Sequence, residues 1–288
     1  MKAAGKRYIQ YASRKDVFRL WGISDIHLGN RGCSVDRLQQ DINDINEDPF
    51  SLWVGGGDYA EYIPPSDTKR FDPETLAESF KVRDLGRVGT FLMAQVKSFF
   101  EPIKEKCVGL AYGNHEWYYM LSQNQQDLHG WLCTELGVEN LGFCAFLDLI
   151  FVRQPGLKGG PVITRESPEG GANRWAVRVF IHHGASGSIT PGGKIKNLAD
   201  AMTRFDADMT FVAHVHAKIG TKLVRIRANR ACKKIKETEL AGTISGTYLR
   251  TYSEGAAGYG ERRMYPPAPL GAPWARIHPD IRDIKVVV

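Results

Sequence analysis

The sequence predicts an α/β fold, and three observations carry that expectation. Short apolar runs of strand type alternate with segments of helical spacing through most of the chain. Five chemistry-bearing motifs each close an apolar run: Asp25-Ile26-His27, Gly57-Asp58-Tyr59-Ala60-Glu61, Gly113-Asn114-His115-Glu116, His182-His183-Gly184 and His214-Val215-His216. The chain has 288 residues, 43% of them hydrophobic, enough for one large core, so 1–288 reads as a single domain.

The elements follow in order. Residues 16–24 read as a strand that delivers Asp25 and His27. Val35, Leu38, Ile42 and Ile45 stand at helical spacing. Residues 50–54 form a buried strand running into Gly55-Gly56-Gly57-Asp58, where glycine lets the backbone turn tightly beside whatever Asp58 holds. Loop chemistry with Pro64, Pro65 and Pro73 comes next, then a helical pattern over 74–100 broken near Gly86 or Gly89. A strand at 106–111 precedes the Gly113 motif, and 127–136 reads as a short helix. Residues 143–152 form a strand and 155–171 a Gly/Pro-rich surface loop. The alternation in 174–181 makes a strand that ends at His182. A helix over 194–204 and a strand over 209–213 deliver His214 and His216. Residues 219–250 are β-rich. About 250–288, full of Gly, Pro and aromatics, reads as an ordered extension wrapping the domain.

The net charge is +6 and the pI about 9.0, which suits anionic partners such as nucleotides, nucleic acid or phosphorylated small molecules, and equally an ordinary solvated surface. Five cysteines without a CxxC exclude a disulfide framework and a thiolate zinc site, and fit a reducing cytoplasm. The basic N-terminus has no apolar h-region, and no stretch is long enough to span a bilayer, so neither secretion nor a membrane partner is expected.

Carboxylates, imidazoles and an amide oxygen suit borderline divalent ions: Mn, Fe, Zn, Ni or Co, with Mn the first choice in vitro. Two such ions about 3.5–4 Å apart clamp the attacking and leaving oxygens of an in-line displacement at phosphorus. A pair needs a bridging carboxylate, and Asp58, central in order and preceded by glycines, is the candidate. Two dications against Asp25, Asp58 and a bridging hydroxide leave residual positive charge for a phosphate ester. The hydroxide is the expected nucleophile, and His115 the expected proton donor to the leaving group, oriented or charged by Glu116. Each motif alone is weak, since Gly-Asp and Gly-Asn are ordinary turns; the ordered set is specific.

These motifs resemble the calcineurin-like metallophosphoesterase superfamily, whose pattern D-x-H, G-D-x-x-D/E, G-N-H-D/E, H, G-H-x-H runs here from Asp25 to His216, about two thirds of the chain. The resemblance implies a two-sheet β-sandwich flanked by helices in four layers, with a dinuclear site at the strand ends. It implies Asp25, His27, Asp58 and His216 around one metal, and Asp58, Asn114, His183 and His214 around the other. His115 would protonate the leaving group or stabilise the transferring phosphoryl. Glu61, Glu116 and His182 would stand behind the ligands. The stretches Thr190-Pro191-Gly192-Gly193-Lys194 and Tyr259-x-Glu261-Arg262-Arg263 are similar to members from bacteria and their phages. Three departures matter. Ala213 replaces the glycine before His-x-His. His182 and His183 compete for one position, with His183 favoured because it directly precedes glycine. The arginine that grips phosphate in Ser/Thr protein phosphatases is missing before Asn114, which argues against a protein phosphatase.

The leading expectation is a phosphodiesterase or phosphatase. A nuclease is the alternative, with Lys222–Arg230 and Lys233–Lys236 tracking a phosphate backbone or, as plainly, protecting a strand edge. A non-catalytic scaffold would have lost ligands, and none is missing. Residues 62–100 form a helical insert, either a basic lid (Lys69, Arg70, Lys81, Arg83, Arg87) or a helix packed through Leu76, Phe80, Leu85 and Phe91.

Overall fold

In the computed structural model, all residues are described except 124–125, 186–187, 230 and 254–257, and the side chain at 259. Two mixed sheets lie face to face. The first has seven strands, β1 (Lys2–Tyr11), β6 (Cys144–Arg153), β7 (Val162–Thr164), β8 (Asn173–His182), β9 (Met209–Val212), β10 (Lys218–Ala228) and β11 (Ile235–Ser245). Their order is β10-β11-β9-β8-β6-β1-β7. The second has six, β2 (Phe18–Ile23), β3 (Ser51–Gly55), β4 (Cys107–Ala111), β5 (Asn140–Gly142), β12 (Trp274–His278) and β13 (Asp283–Val287), in the order β13-β12-β2-β3-β4-β5.

Strands β2 to β5 run parallel, joined by helices α1 (Val35–Glu47), α2 (Val88–Phe100), α3 (Asn114–Ser122) and α4 (Leu128–Leu136). Their apolar runs are continuous because both faces are covered. One face, with Leu20, Leu52, Val54 and Val108, meets Leu147, Leu149, Val179 and Phe211 of the other sheet. The opposite face, with Trp21, Ile23, Trp53 and Leu110, buries Leu38 and Ile42 of α1, Leu92, Val96 and Phe100 of α2, and Leu132 and Leu136 of α4. Helix α5 (Pro191–Arg204) covers the outer face of the first sheet, through Leu198 and Met202 against Leu240 and Ile244. The layers are therefore helix, sheet, sheet, helix, as the resemblance implies.

Two local readings need correction, and two segments gain strands. Residues 74–87 form 3₁₀ turns at Pro73–Thr75 and Val82–Arg87, not one helix with 88–100. Asp72 and Asp84 accept backbone N–H groups and close those turns, and Gly86 adds no helical preference. The buried face of α2 is Val88, Leu92, Met93, Val96 and Phe100; of the packing residues expected, Phe80 and Phe91 lie against the core only in part. The basic N-terminal segment is strand β1, inserted between β6 and β7 with Ile9 and Tyr11 buried. The last forty residues supply β12 and β13; β12 pairs with β2 and extends the second sheet. Asp280 fastens them to the first sheet, accepting from Tyr11, Arg153 and Asn173. No helix among the described residues is long and apolar enough to cross a membrane.

Candidate metal centre

The residues singled out by the motifs lie just beyond the carboxyl ends of β2, β3, β4, β8 and β9, three parallel strands of one sheet and two of the other. In α/β sheets this edge is where ligands bind. Of the nine non-glycine residues with positive φ among the described residues, five are Asp25, His27, Asp58, His214 and His216. Such backbone costs energy and collects at functional sites. Two glycines make the close approach possible. A Cβ on Gly57 (φ +97°) would stand 2.4 Å from the amide nitrogen of Gly113, and one on Gly113 would stand 2.2 Å from Asp58 Oδ1.

Three groups of side chains converge, each with its candidate ligand atoms within 4.8 Å of one another: Asp25, His27 and His216; Asp58, His183 and His214; and His27, Asp58 and His115. Asp25 Oδ1 is 3.4 Å from His216 Nε2, which is 3.2 Å from His27 Nε2. Asp58 Oδ2 is 3.3 Å from His183 Nε2 and 4.0 Å from His214 Nδ1. Asn114 Oδ1 lies 3.1 Å from His183 Nε2. Asp25, Asp58 and His183 are at most 1% exposed, while His214 and His216 border solvent.

Backbone acceptors fix two of the tautomers, because a carbonyl cannot donate. His183 donates its Nδ1–H to Gly56 O (2.7 Å) and His115 donates its own to Glu61 O (2.5 Å). His27 Nδ1 faces the Glu61 carboxylate at 3.0 Å. All three rings therefore turn Nε2 inward. A partner that fixes the outward nitrogen is the usual support of a metal-binding imidazole.

The electrostatics are those of a site short of positive charge. Burial pushes the Asp58 carboxyl up, but His183, His115 and His27 hold it well below the usual range. Asp25 is likewise raised by burial and lowered overall by His216 and His183. Burial opposes the charge on His183, yet Asp58 and Asp25 raise it to about 10. Glu61, despite burial, is drawn to about 2 by His27 and His115. His115 is raised by Asp58 and Glu61 against its burial. Two buried polar atoms, Asp25 Oδ1 and His214 Nδ1, have no hydrogen-bond partner. Leaving such atoms unpaired costs several kcal/mol. Facing other acceptors across 3–4 Å, they fit a divalent cation, and the N/O donor set suits Mn, Fe, Zn, Ni or Co.

One expectation changes. Glu116 does not orient His115. Its carboxylate accepts from the backbone N–H of Asp58 (3.0 Å), Tyr59 (2.8 Å) and Gly113 (2.8 Å), and so ties the second motif to the third. The residue that holds His115 is Glu61, through its carbonyl. Of the adjacent histidines, His183 faces Asp58, whereas His182 Nδ1 accepts from Gly184 N–H at 2.7 Å and takes no part in the three groups. Sequence reasoning missed Ser24, Ser245, Thr247 and Tyr248, which surround Asp25. Only Ser24 lies near a motif. The basic stretch 222–230 is partly neutralised: Lys222 pairs with Glu239, and Arg225 and Arg227 with Asp206, while Arg230 lies outside the described residues.

Comparison with curated proteins finds no match to this chain. The family model for calcineurin-like phosphoesterases matches residues 18–218, from the first residue of β2 to the first of β10, and takes in all five motifs. Metal-dependent phosphoesterase activity on a phosphate-ester substrate goes with that family, and the chain belongs to the calcineurin-like phosphoesterase family.

Proposed function

We propose that this is a dinuclear metal-dependent phosphoesterase that hydrolyses phosphodiester or phosphomonoester bonds. Asp25, His27, Asp58 and His216 would hold one ion, and Asp58, Asn114, His183 and His214 the other, with Asp58 shared. The observation that carries this reading is the pair of buried, partnerless atoms, Asp25 Oδ1 facing His216 and His214 Nδ1 facing Asp58. When bound, the ions would supply Lewis-acid neutralisation of the phosphoryl oxygens and make water nucleophilic near neutral pH.

The chain's own residues do the rest. Asp58 and Asp25 bring two negative charges, so a site loaded with two dications keeps net positive charge for an anionic ester. His115, held at Nδ1 by Glu61 and biased toward its protonated form by Asp58 and Glu61 against its burial, would present Nε2–H to the leaving oxygen. Glu61 anchors His27 and His115 together, one by its carboxylate and one by its carbonyl. The whole chain acts as one domain. Residues 62–87 form a wall beside the site, since Ala77 N–H donates to Gly29 O and Arg31 N–H to Thr75 O.

The test is hydrolysis of bis(p-nitrophenyl) phosphate against p-nitrophenyl phosphate, on chelator-stripped protein refilled with Mn²⁺. Turnover restored by metal supports the reading, and the preferred ester assigns diesterase or monoesterase. Metal-loaded protein that turns over neither ester contradicts it.

A further inference from the structure

Asp25 is held at every polar atom but one. Its N–H donates to Gly57 O at 3.0 Å. Its carbonyl accepts from Thr247 Oγ1 (2.9 Å) and Tyr248 N–H (3.0 Å). The backbone is therefore pinned independently of the side chain. In the carboxylate, Oδ2 accepts from Ser24 Oγ at 2.6 Å and from His214 N–H at 3.0 Å, while Oδ1 has no partner and faces His216.

The Ser24 hydroxyl is itself 2.5 Å from Ser245 Oγ. Ser24, Asp25 and Ser245 are all buried, at 0%, 0% and 2% exposure. Proton accounting fixes the direction of the chain. An ionised carboxylate only accepts, so Ser24 gives its single proton to Asp25 and accepts from Ser245, whose hydroxyl also makes a longer contact of 3.3 Å to Val212 O. Ser24 follows β2 of one sheet and Ser245 ends β11 of the other, so the relay joins the sheets at the point where Asp25 projects. A charged acceptor at the end of a hydroxyl chain makes short bonds, and each donor strengthens the next.

We propose that Ser24, which shares Oδ2 with the His214 N–H, and Ser245 behind it are positioning residues that restrict Asp25 to Oδ1 as its free donor atom and thereby set the affinity of the metal position built from Asp25, His27 and His216, leaving that of Asn114, His183 and His214 unchanged. The inference rests on the dinuclear reading above. Ser245 acts only through Ser24.

The experiment is calorimetric titration of chelator-stripped protein with Mn²⁺, for the wild type, Ser24→Ala, Ser245→Ala and the double variant, with thermal unfolding of each metal-free protein alongside. Ser24→Ala should weaken one of two Mn²⁺ affinities about 10- to 100-fold, the usual effect of losing a ligand's outer partner, and move the other less than about two-fold. Ser245→Ala should do the same more weakly. The double variant should be no worse than Ser24→Ala alone. Equal weakening of both affinities, unchanged affinities, or additive losses that track falling melting temperature would overturn the inference. Wild-type protein that binds no Mn²⁺ would overturn the dinuclear reading as well. Two wild-type sites with unaffected variants would overturn this inference alone. Should Ser24→Ala fail to fold, Ser245→Ala carries the same comparison.

Discussion

Glu116 offers a test of how the second and third motifs are held together. Its buried carboxylate accepts three backbone N–H groups, those of Asp58, Tyr59 and Gly113, at 2.8–3.0 Å. Burial and the nearby Asp58 push its carboxyl up, and the Tyr59 and Gly113 N–H groups pull it back. Glu116→Ala leaves all three donors without their partner. An unmade bond to a buried donor costs roughly 1–3 kcal/mol, and the space vacated by a carboxylate can admit a water that re-pairs one of them. The net loss should be about 4 kcal/mol, a large part of the roughly 5–15 kcal/mol that holds a domain folded. Glu116→Gln keeps one acceptor oxygen for the Asp58 and Gly113 donors but sets an NH₂ against Tyr59 N–H. It should lose about 2 kcal/mol. Urea unfolding in the presence of chelator measures both without a contribution from bound metal. If Glu116→Ala loses less than about 1 kcal/mol, the three bonds are not what holds the loops together.

Three further outcomes follow from particular residues. His115→Ala should keep its metal content but lose more turnover on esters with poor leaving groups than on nitrophenyl esters, because only the former need a proton; equal losses would remove His115 from that role. His129, buried beside Tyr59, is pushed down to about 4 by burial. The unfolded chain takes up that proton near 6.5, so the stability from keeping His129 neutral is present above about 6.5 and is lost as pH falls toward 4, up to about 3 kcal/mol. His129→Phe should therefore lose less stability than the wild type between pH 7.5 and 4.5 in urea titrations, and parallel curves would refute the assignment. Asp41, fully buried, accepts from Arg37 (2.5 Å), Tyr248 OH (2.8 Å) and Ala272 N–H (2.9 Å). Asp41→Ala strands those donors and should cost roughly 3–5 kcal/mol by thermal unfolding, whereas a loss under 1 kcal/mol would show the network to be slack.

The candidate site was legible because metal chemistry confines possible ligands to a few residue types and the fold confines them to strand ends. Asp25, His27, Asp58, Asn114, His183, His214 and His216 were each marked by a short motif closing an apolar run, and the structure brings these side chains together. What supports them was not legible, because its partners are distant in sequence. Ser24 and Ser245 stand 221 residues apart, and Asp41 and Tyr248 stand 207 apart. The role of Glu116 had a local signal that was read otherwise. Glu116 follows Gly113 by three residues, the spacing of a capping box, and helix α3 starts there. Among elements, the parallel strands were plain because burial on both faces leaves continuous apolar runs. Strand β1 was hidden because Lys2, Lys6 and Arg7 mask the buried Ile9 and Tyr11. The 74–87 segment misled because Leu76, Phe80 and Leu85 mimic a helical period that local side-chain caps cut short.

The most direct test of the central claim is the Mn²⁺ stoichiometry of stripped and refilled protein, wild type beside Asp58→Ala. The account predicts two ions per wild-type chain and at most one in the variant, since the proposed dinuclear site gives the removed carboxylate to both ions. Two ions retained by Asp58→Ala would contradict it.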